Sequence, residues 1–204
     1  MAFTTDHIAR LGREASSAEL ARGAAASRFL QRLVAADLAA VHLLTRATNR
    51  APARLLAIVL SKLGNGWIYL ILAPVVWFGL GGARSLHVLA LGGVCAALLH
   101  VLYPIIKRRI GRPRPFHVDP RLPSLLKTLD EHSFPSGHAM TLTGVLVPVV
   151  LAWPASTLSA AVLILSMGWS RIAVGHHYPT DVVAGALLGA ALAWPISASF
   201  FAFW

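Results

Sequence analysis

Charged residues are scarce in this chain of 204 residues, and cysteine is nearly absent. Charged side chains make up 13% of the residues, and Cys95 is the single cysteine. One cysteine excludes an intramolecular disulfide framework, and the 56% of apolar residues exclude both intrinsic disorder and an ordinary water-soluble domain. Acidic residues are rarer than basic ones, 8 against 18, which leaves a net charge of +10. This excess points either to anionic membrane headgroups or to an anionic ligand.

Four long segments lack Asp, Glu, Lys and Arg altogether. They are Leu63–Ala83, Ser85–Ile106, Ala139–Ser170 and Val182–Trp204. About 20 apolar residues cross a bilayer core, so the first, second and fourth segments each predict one transmembrane helix. The third is longer, and Trp153-Pro154-Ala155-Ser156 predicts a tight turn between two helices near its middle. The sequence therefore predicts an all-α, polytopic membrane helix bundle with five transmembrane helices.

The N-terminal region has a different pattern. Apolar residues from Leu30 to Leu44 recur at helical spacing, which predicts an amphipathic helix on the membrane surface. The alternative is a sixth transmembrane helix over residues 29–49. We divide the chain into residues 1–50, a polar tail with the amphipathic surface helix, and residues 51–204, a membrane-embedded domain. A Gly-Asn-Gly break after Leu63 indicates a further surface segment over Arg54–Leu63.

Several chemically active residues lie at the ends of the predicted helices. They are Lys107 at the end of the second, His138 at the start of the third, Arg171 and His177 at the end of the fourth, and Asp181 at the start of the fifth. Successive antiparallel helices alternate in direction, so all of these ends fall on one face of the membrane. Three clusters that are separate in the sequence thereby form one candidate site.

The residue types in these clusters suit phosphate chemistry. Arginines and lysines around Arg114 can bind phosphate oxygens, and Ser136-Gly137-His138 opens a helix whose free N–H groups attract anions. Asp181 follows His177 by four residues, so its carboxylate can orient one ring nitrogen while the other attacks. His176 fits this spacing less well. Taken singly, the clusters have structural interpretations: a membrane-flanking basic loop, a capped helix start and a His–Asp pair.

Together they resemble the three-part signature of the type 2 phosphatidic acid phosphatase superfamily: K-x6-RP, PSGH and SR-x5-H-x3-D. The matching residues are Lys107 and Arg114-Pro115, then Pro135-Ser136-Gly137-His138, then Ser170-Arg171, His177 and Asp181. The resemblance implies that His177 attacks phosphorus to form a phosphohistidine, oriented by Asp181. It also implies that His138 protonates the leaving alcohol and then activates water. The implied phosphate ligands are Lys107, Arg114, Arg171 and the backbone N–H groups of Ser136–His138.

The expected substrate is a phosphate monoester or diphosphate of a lipid, such as phosphatidate, phosphatidylglycerophosphate or undecaprenyl diphosphate. The resemblance implies metal-independent chemistry, and the sequence offers no carboxylate cluster for Mg²⁺. We therefore predict no cofactor and no bound metal, and we predict membrane lipids rather than nucleic acid as partners. Two alternatives stay open: a lipid phosphotransferase using the same phosphohistidine, and a non-enzymatic membrane protein that binds or transports anionic lipids.

The predicted location is the cell (inner) membrane, with several membrane crossings. The positive-inside rule, applied to the arginines before the first span, places the site in the cytoplasm if residues 29–49 do not cross. The resemblance favours the periplasmic side, which we predict. Residues His117–Ser133, between the first two motifs, form either a substrate-facing lid or an ordinary surface loop. Gly185 and Gly189 form a G-x-x-x-G pattern, which predicts close packing of the last helix within the chain.

Overall fold

The computed structural model describes residues 28, 31–128 and 130–203, and the predicted polar tail lies outside this part. Regular structure in the described residues is helical, apart from one isolated bridge between Pro113 and His132. From Ala40 onward the chain forms one compact unit, while the preceding residues belong to another. The helices of the described chain are α1 (residues 31–47), α2 (Ala51–Lys62), α3 (Ile68–Leu80), α4 (Gly82–Ile110), α5 (Pro115–Val118), α6 (Gly137–Ala152), α7 (Thr157–Ala173) and α8 (Pro179–Ala202).

Four helical segments of the described chain are long and apolar enough to cross a membrane. They are Ala51–Leu80, Gly82–Ile110, Pro154–Ala173 and Pro179–Ala202, and α6 is apolar but shorter. These segments and α6 confirm the predicted all-α, polytopic membrane bundle. The predicted interruption is also present, since α6 ends at Ala152 and a 3-10 turn over Pro154–Ser156 leads into α7. The α1 helix forms as well, and its place on the membrane surface stays a prediction.

The first long segment begins earlier than the sequence indicated. Residues Arg54–Leu63, expected to be a separate surface segment, continue into the apolar helix through a π-helical turn over Leu63–Trp67. Within this turn only Asn65 and Gly66 leave helical dihedral angles. Because only these two residues depart from helical geometry, the helix continues after them instead of ending.

Polar and apolar residues are arranged oppositely to those of a soluble protein. Large apolar side chains point outward along the long helices, as in Phe78, which is 84% exposed. Charged and polar side chains such as Lys107, Arg171 and Asp181 are buried. An apolar exterior suits contact with lipid tails, and buried ionisable groups in such a bundle mark a functional site.

Helices α6 and α8 are in close backbone contact, and this contact sets the geometry of the bundle. A Cβ atom at Gly185 would overlap the carbonyl oxygen of Ser136, and one at Gly189 would overlap that of Met140. Small residues let two helix backbones approach in this way where lipid surrounds the bundle. The structure therefore places both glycines in an intramolecular contact, as their spacing predicted.

We expect Gly189→Val to lower the free energy of unfolding by about 1–3 kcal/mol, because the new side chain must push α8 away from α6. Gly93→Val is the matched control, since nothing lies within 4 Å of a Cβ at Gly93 in α4. Thermal unfolding of both variants in detergent measures the difference. Equal stability of the two variants would contradict the close approach.

Candidate active site

A cavity of about 530 Å³ brings together residues from all three motifs. Six of the eight predicted site residues line it: Lys107, Arg114, Gly137, His138, Arg171 and His177. The other two, Ser136 and Asp181, are buried beside residues of this group. The ends of α4 and α7, the starts of α6 and α8, and the loop after α5 thus meet at one place.

His177 and Asp181 face each other at the entrance to α8. The Nδ1 atom of His177 lies 3.6 Å from Oδ2 of Asp181, and both side chains are almost fully buried. This distance exceeds that of a hydrogen bond, so the carboxylate is directed at the ring without a short bond in this structure. Burial above all, together with the nearby Arg171 and Arg114, lowers the pKa of His177 well below its usual value. A neutral ring with Nδ1 toward the carboxylate leaves Nε2 as the atom able to attack.

The Asp181 carboxylate is held in place from two sides. Its Oδ1 accepts a hydrogen bond of 2.6 Å from Nη1 of Arg112, and its Oδ2 accepts one of 2.9 Å from the backbone N–H of Tyr178. The Arg112 guanidinium also lies 3.9 Å from the centre of the Tyr178 ring. The motif spacing gives no role to Arg112, which is one of several basic residues between Lys107 and Arg114. In the structure its guanidinium carries the positive charge that pairs with the fully buried Asp181 carboxylate.

The neighbouring histidine, His176, has a different role. Its Nδ1 lies 2.9 Å from Nη2 of Arg171 and its Nε2 lies 2.9 Å from the carbonyl oxygen of Leu126. Burial and the charge of Arg171 lower the pKa of His176 to about 3, so the ring is neutral. Nδ1 then accepts from the guanidinium and Nε2–H donates to the carbonyl. His176 therefore orients Arg171, and both of its ring nitrogens are engaged within the protein.

Two of the three predicted phosphate cations share one carboxylate. Asp130 accepts hydrogen bonds from Nζ of Lys107 at 2.9 Å and from Nη2 of Arg114 at 2.6 Å. Burial raises the pKa of Asp130, but the hydrogen bonds and charges of these two partners outweigh it, and the net pKa is lowered. The Asp130 side chain is 36% exposed and lines the cavity. Lys107 and Arg114 are thus arranged around an anion.

Arg171 is the third cation, and it is bound from two elements. Its Nη1 donates to the hydroxyl of Ser61 in α2, and its Nη2 to His176. Among the described residues, its Nε is one of a few buried side-chain atoms without a hydrogen-bond partner. A buried donor without a partner is costly, and Arg171 lines the cavity. Arg171 therefore reaches the cavity while its own Nε is enclosed by the protein.

The N-terminus of α6 supplies the second motif. The N–H of Ser136 donates to the backbone carbonyl of Asp181 at 2.9 Å, so it joins α6 to α8 instead of facing a ligand. The N–H groups of Gly137 and His138 follow, in the helix turn whose donors lack intrahelical partners. The imidazole of His138 is half-buried, lines the cavity and contacts Asn65.

Sequence reasoning missed four residues that complete the site. They are Ser61, Asn65, Arg112 and Asp130. The Gly-Asn-Gly break was a signal for Asn65, and the run of basic residues contained Arg112 without distinguishing it from its neighbours. The loop over His117–Ser133 contributes Leu126, Lys127 and Asp130 to the cavity wall, which favours the substrate-facing interpretation.

A comparison with known families decides the classification. The profile of the PAP2 superfamily matches residues 86–204, which is more than half of the chain. The chain belongs to the PAP2 superfamily. Its bundle of apolar helices is accordingly that of a multi-pass membrane protein.

Individual relatives of this PAP2 protein include two curated phosphatases. It is 40% identical over 93 residues to a decaprenylphosphoryl-5-phosphoribose phosphatase of Mycolicibacterium smegmatis, which covers 46% of this chain and 49% of that protein. It is 34% identical over 94 residues to a lipid A 1-phosphatase of Rhizobium johnstonii, covering 44% of this chain and 38% of that one. The aligned segments therefore span half or less of these relatives.

The fold is similar to that of a solved relative. The crystal structure of a transmembrane PAP2-type phosphatidylglycerolphosphate phosphatase from Bacillus subtilis superimposes with a TM-score of 0.59 at 24% identity. The superposition covers 82% of this chain and 85% of the other. At this identity the likeness shows a shared fold.

We expect Arg112→Ala to destabilise this PAP2 protein by about 3 kcal/mol, because it leaves the buried Asp181 carboxylate without its cationic partner. The exposed Arg109, three residues earlier at the end of α4, is the matched control, and Arg109→Ala should change stability by less than about 0.5 kcal/mol. Thermal unfolding in detergent compares them. If Arg112→Ala were as mild as Arg109→Ala, the ion pair would not be formed in solution.

Proposed function

We propose that this protein is a metal-independent lipid phosphatase that works through a phosphohistidine on His177. The arrangement that carries the proposal is a neutral, buried imidazole directed by a carboxylate, next to a second imidazole and three buried cations in one cavity. This set contains a nucleophile, an acid–base group and charge stabilisation, the three elements that phosphoryl transfer needs.

In the first step, the Nε2 lone pair of His177 attacks phosphorus. The bond between phosphorus and the ester oxygen breaks, and its electron pair goes to the leaving oxygen. His138, in its protonated form, donates a proton to that oxygen, so the product leaves as an alcohol. Negative charge on the transferring oxygens is met by Lys107, Arg114 and Arg171.

In the second step, water attacks the phosphohistidine. His138, now deprotonated, accepts the proton from water as the new oxygen–phosphorus bond forms. The nitrogen–phosphorus bond breaks and its electron pair returns to His177. Inorganic phosphate leaves, and both imidazoles recover their starting states.

The surroundings of the site favour a lipid substrate. The cavity lies where the ends of apolar helices meet, so a headgroup can enter it while an alkyl or prenyl chain stays among lipid tails. The relatives named above are phosphatases of a decaprenyl-linked sugar phosphate and of lipid A. We therefore propose that the substrate is a phosphate monoester or diphosphate of a lipid. On the resemblance to the superfamily we also propose that the protein lies in the inner membrane with its site toward the periplasm.

One alternative differs in the molecule that accepts the phosphoryl group, and the other differs in where its charged residues would lie. A lipid phosphotransferase would use the same first step and then transfer the phosphoryl group to an alcohol. A transporter would carry ionisable residues through the middle of the bilayer. Here the buried charged residues Lys107, Arg114, Arg171 and Asp181 gather at helix ends, which favours the enzyme.

We expect His177→Ala to lower phosphate release about a thousandfold or more, because the nucleophile is removed. The assay presents phosphatidate, phosphatidylglycerophosphate, undecaprenyl diphosphate and lipid A phosphates in detergent containing EDTA. His87→Ala is the matched control, since His87 lies about 30 Å from Lys107 along α4 and bonds to the carbonyl of Ala83.

Two outcomes would refute the proposal. Full activity of His177→Ala would exclude the phosphohistidine, and wild-type activity that disappears in EDTA would exclude metal independence. A wild-type protein that releases phosphate from none of these lipids would favour the binding or transport alternative.

We also expect a burst of product in the His138→Ala variant when the substrate is p-nitrophenyl phosphate. Nitrophenolate leaves without a proton, so the first step proceeds, while water lacks its base and the phosphohistidine accumulates. Stopped-flow absorbance should show about one nitrophenolate per protein before slow turnover. The burst should vanish when His177→Ala is added, and its persistence would place the covalent intermediate elsewhere.

A further inference from the structure

We propose that Asn65 is a positioning residue that holds the His138 imidazole with its proton on Nε2. The proposal rests on the proposed function, since His138 is there the acid and base of phosphoryl transfer. Asn65 comes from the first long helical segment, outside residues 86–204 that match the superfamily profile. The motifs therefore give no role to this position.

One contact carries the inference. Oδ1 of Asn65 lies 2.8 Å from Nε2 of His138, and both residues line the cavity. A carboxamide oxygen accepts hydrogen bonds and never donates, so Nε2 must be the donor. In a neutral ring this selects the tautomer with the proton on Nε2, and in the charged ring it orients the same N–H bond.

The local backbone is built to make this contact. Asn65 and Gly66 interrupt the helix, and Gly66 has φ 116°, which favours glycine. A Cβ atom at Gly64 would overlap Cδ2 of His138, so the chain passes directly against the imidazole edge. Single π-helical turns inside helices occur often at functional sites. The break between α2 and α3 thus delivers an amide oxygen to the second motif.

The contact would affect both chemical steps. Before the first step Asn65 engages the Nε2–H bond of the charged ring, so the proton on Nδ1 is the one left for the leaving oxygen. Once that proton has been given away, the neutral ring keeps its proton on Nε2, which is the tautomer that the Asn65 contact selects. The bare Nδ1 can then accept the proton of the water that attacks the phosphohistidine.

The kinetic test compares two leaving groups. We expect Asn65→Ala to lower kcat/KM about tenfold for phosphatidate, whose alkoxide must be protonated to leave. For p-nitrophenyl phosphate the same variant should stay within about twofold of wild type, because kcat/KM reports only the step in which the nitrophenolate departs. A merely structural role would lower both values equally, and that result would overturn the proposal.

Asn49→Ala is the matched control. It makes the same change of side chain in the turn after α1, away from the cavity that holds His138. We expect its kcat/KM to equal that of wild type for both substrates. An equal loss in Asn49→Ala and Asn65→Ala would refute a specific effect on His138.

A second measurement does not depend on activity. Nitrogen NMR of histidine-labelled protein in detergent identifies the ring nitrogen that carries the proton, and the signals of His138 are assigned by their loss in His138→Ala. We expect a protonated Nε2 in wild type and a mixture of tautomers in Asn65→Ala. A bare Nε2 in wild type would overturn the proposal even if the phosphatase activity is present. Conversely, a protein with the expected tautomer but no phosphate release would refute only the proposed function.

Discussion

The structure depends on burying three like charges together. Lys107, Arg114 and Arg171 are 4%, 2% and 6% exposed and line one cavity at the ends of apolar helices. Buried charges destabilise a fold unless they are paired, so the surrounding elements are arranged to supply partners. Asp130 is the anion for two of them, while uncharged groups on α2 and on the linker before α8 hold the third. An anionic ligand in this cavity would face all three cations.

The packing of α6 against α8 is a second constraint, because it positions the proposed nucleophile and the proposed acid relative to each other. The close approach of α6 and α8 at Gly185 and Gly189 brings the start of each helix beside the other. The backbone of Ser136 can then bond to that of Asp181. The imidazoles of His138, at the start of α6, and of His177, just before α8, line one cavity. Packing between small residues thus determines the distance between the proposed nucleophile and the proposed acid. The same lipid-facing bundle that buries the charges would also give the proposed substrate, a lipid-linked phosphate, a route to them.

The residues that sequence reasoning identified and those it missed differ in a physical way. His177 and Asp181 are four residues apart, and Lys107 lies at a helix end, so spacing and membrane topology predict their positions. Asp130 and Asn65 contact residues 23 and 73 positions away, through a loop and a kinked helix whose paths depend on packing. Arg112 was visible as one of several basic residues, but only the fold distinguishes it from the exposed Arg109. The prediction of a separate surface segment over Arg54–Leu63 is wrong because a Gly-Asn-Gly break can either end a helix or only bend it.

The sequence alone determined the number of apolar segments, the turn near Pro154, the motif spacings and the common face on which the motifs lie. These features are local or follow from the thickness of a bilayer, which dictates where long apolar helices start and stop. Tertiary structure alone decided which anion faces the cations, which residue supports Asp181 and which amide meets His138. Such contacts join side chains from different helices, and their distances are set by how closely those helices pack. The composition therefore shows that the chain has a positive excess, but the gathering of three of these cations at the proposed phosphate site depends on the fold.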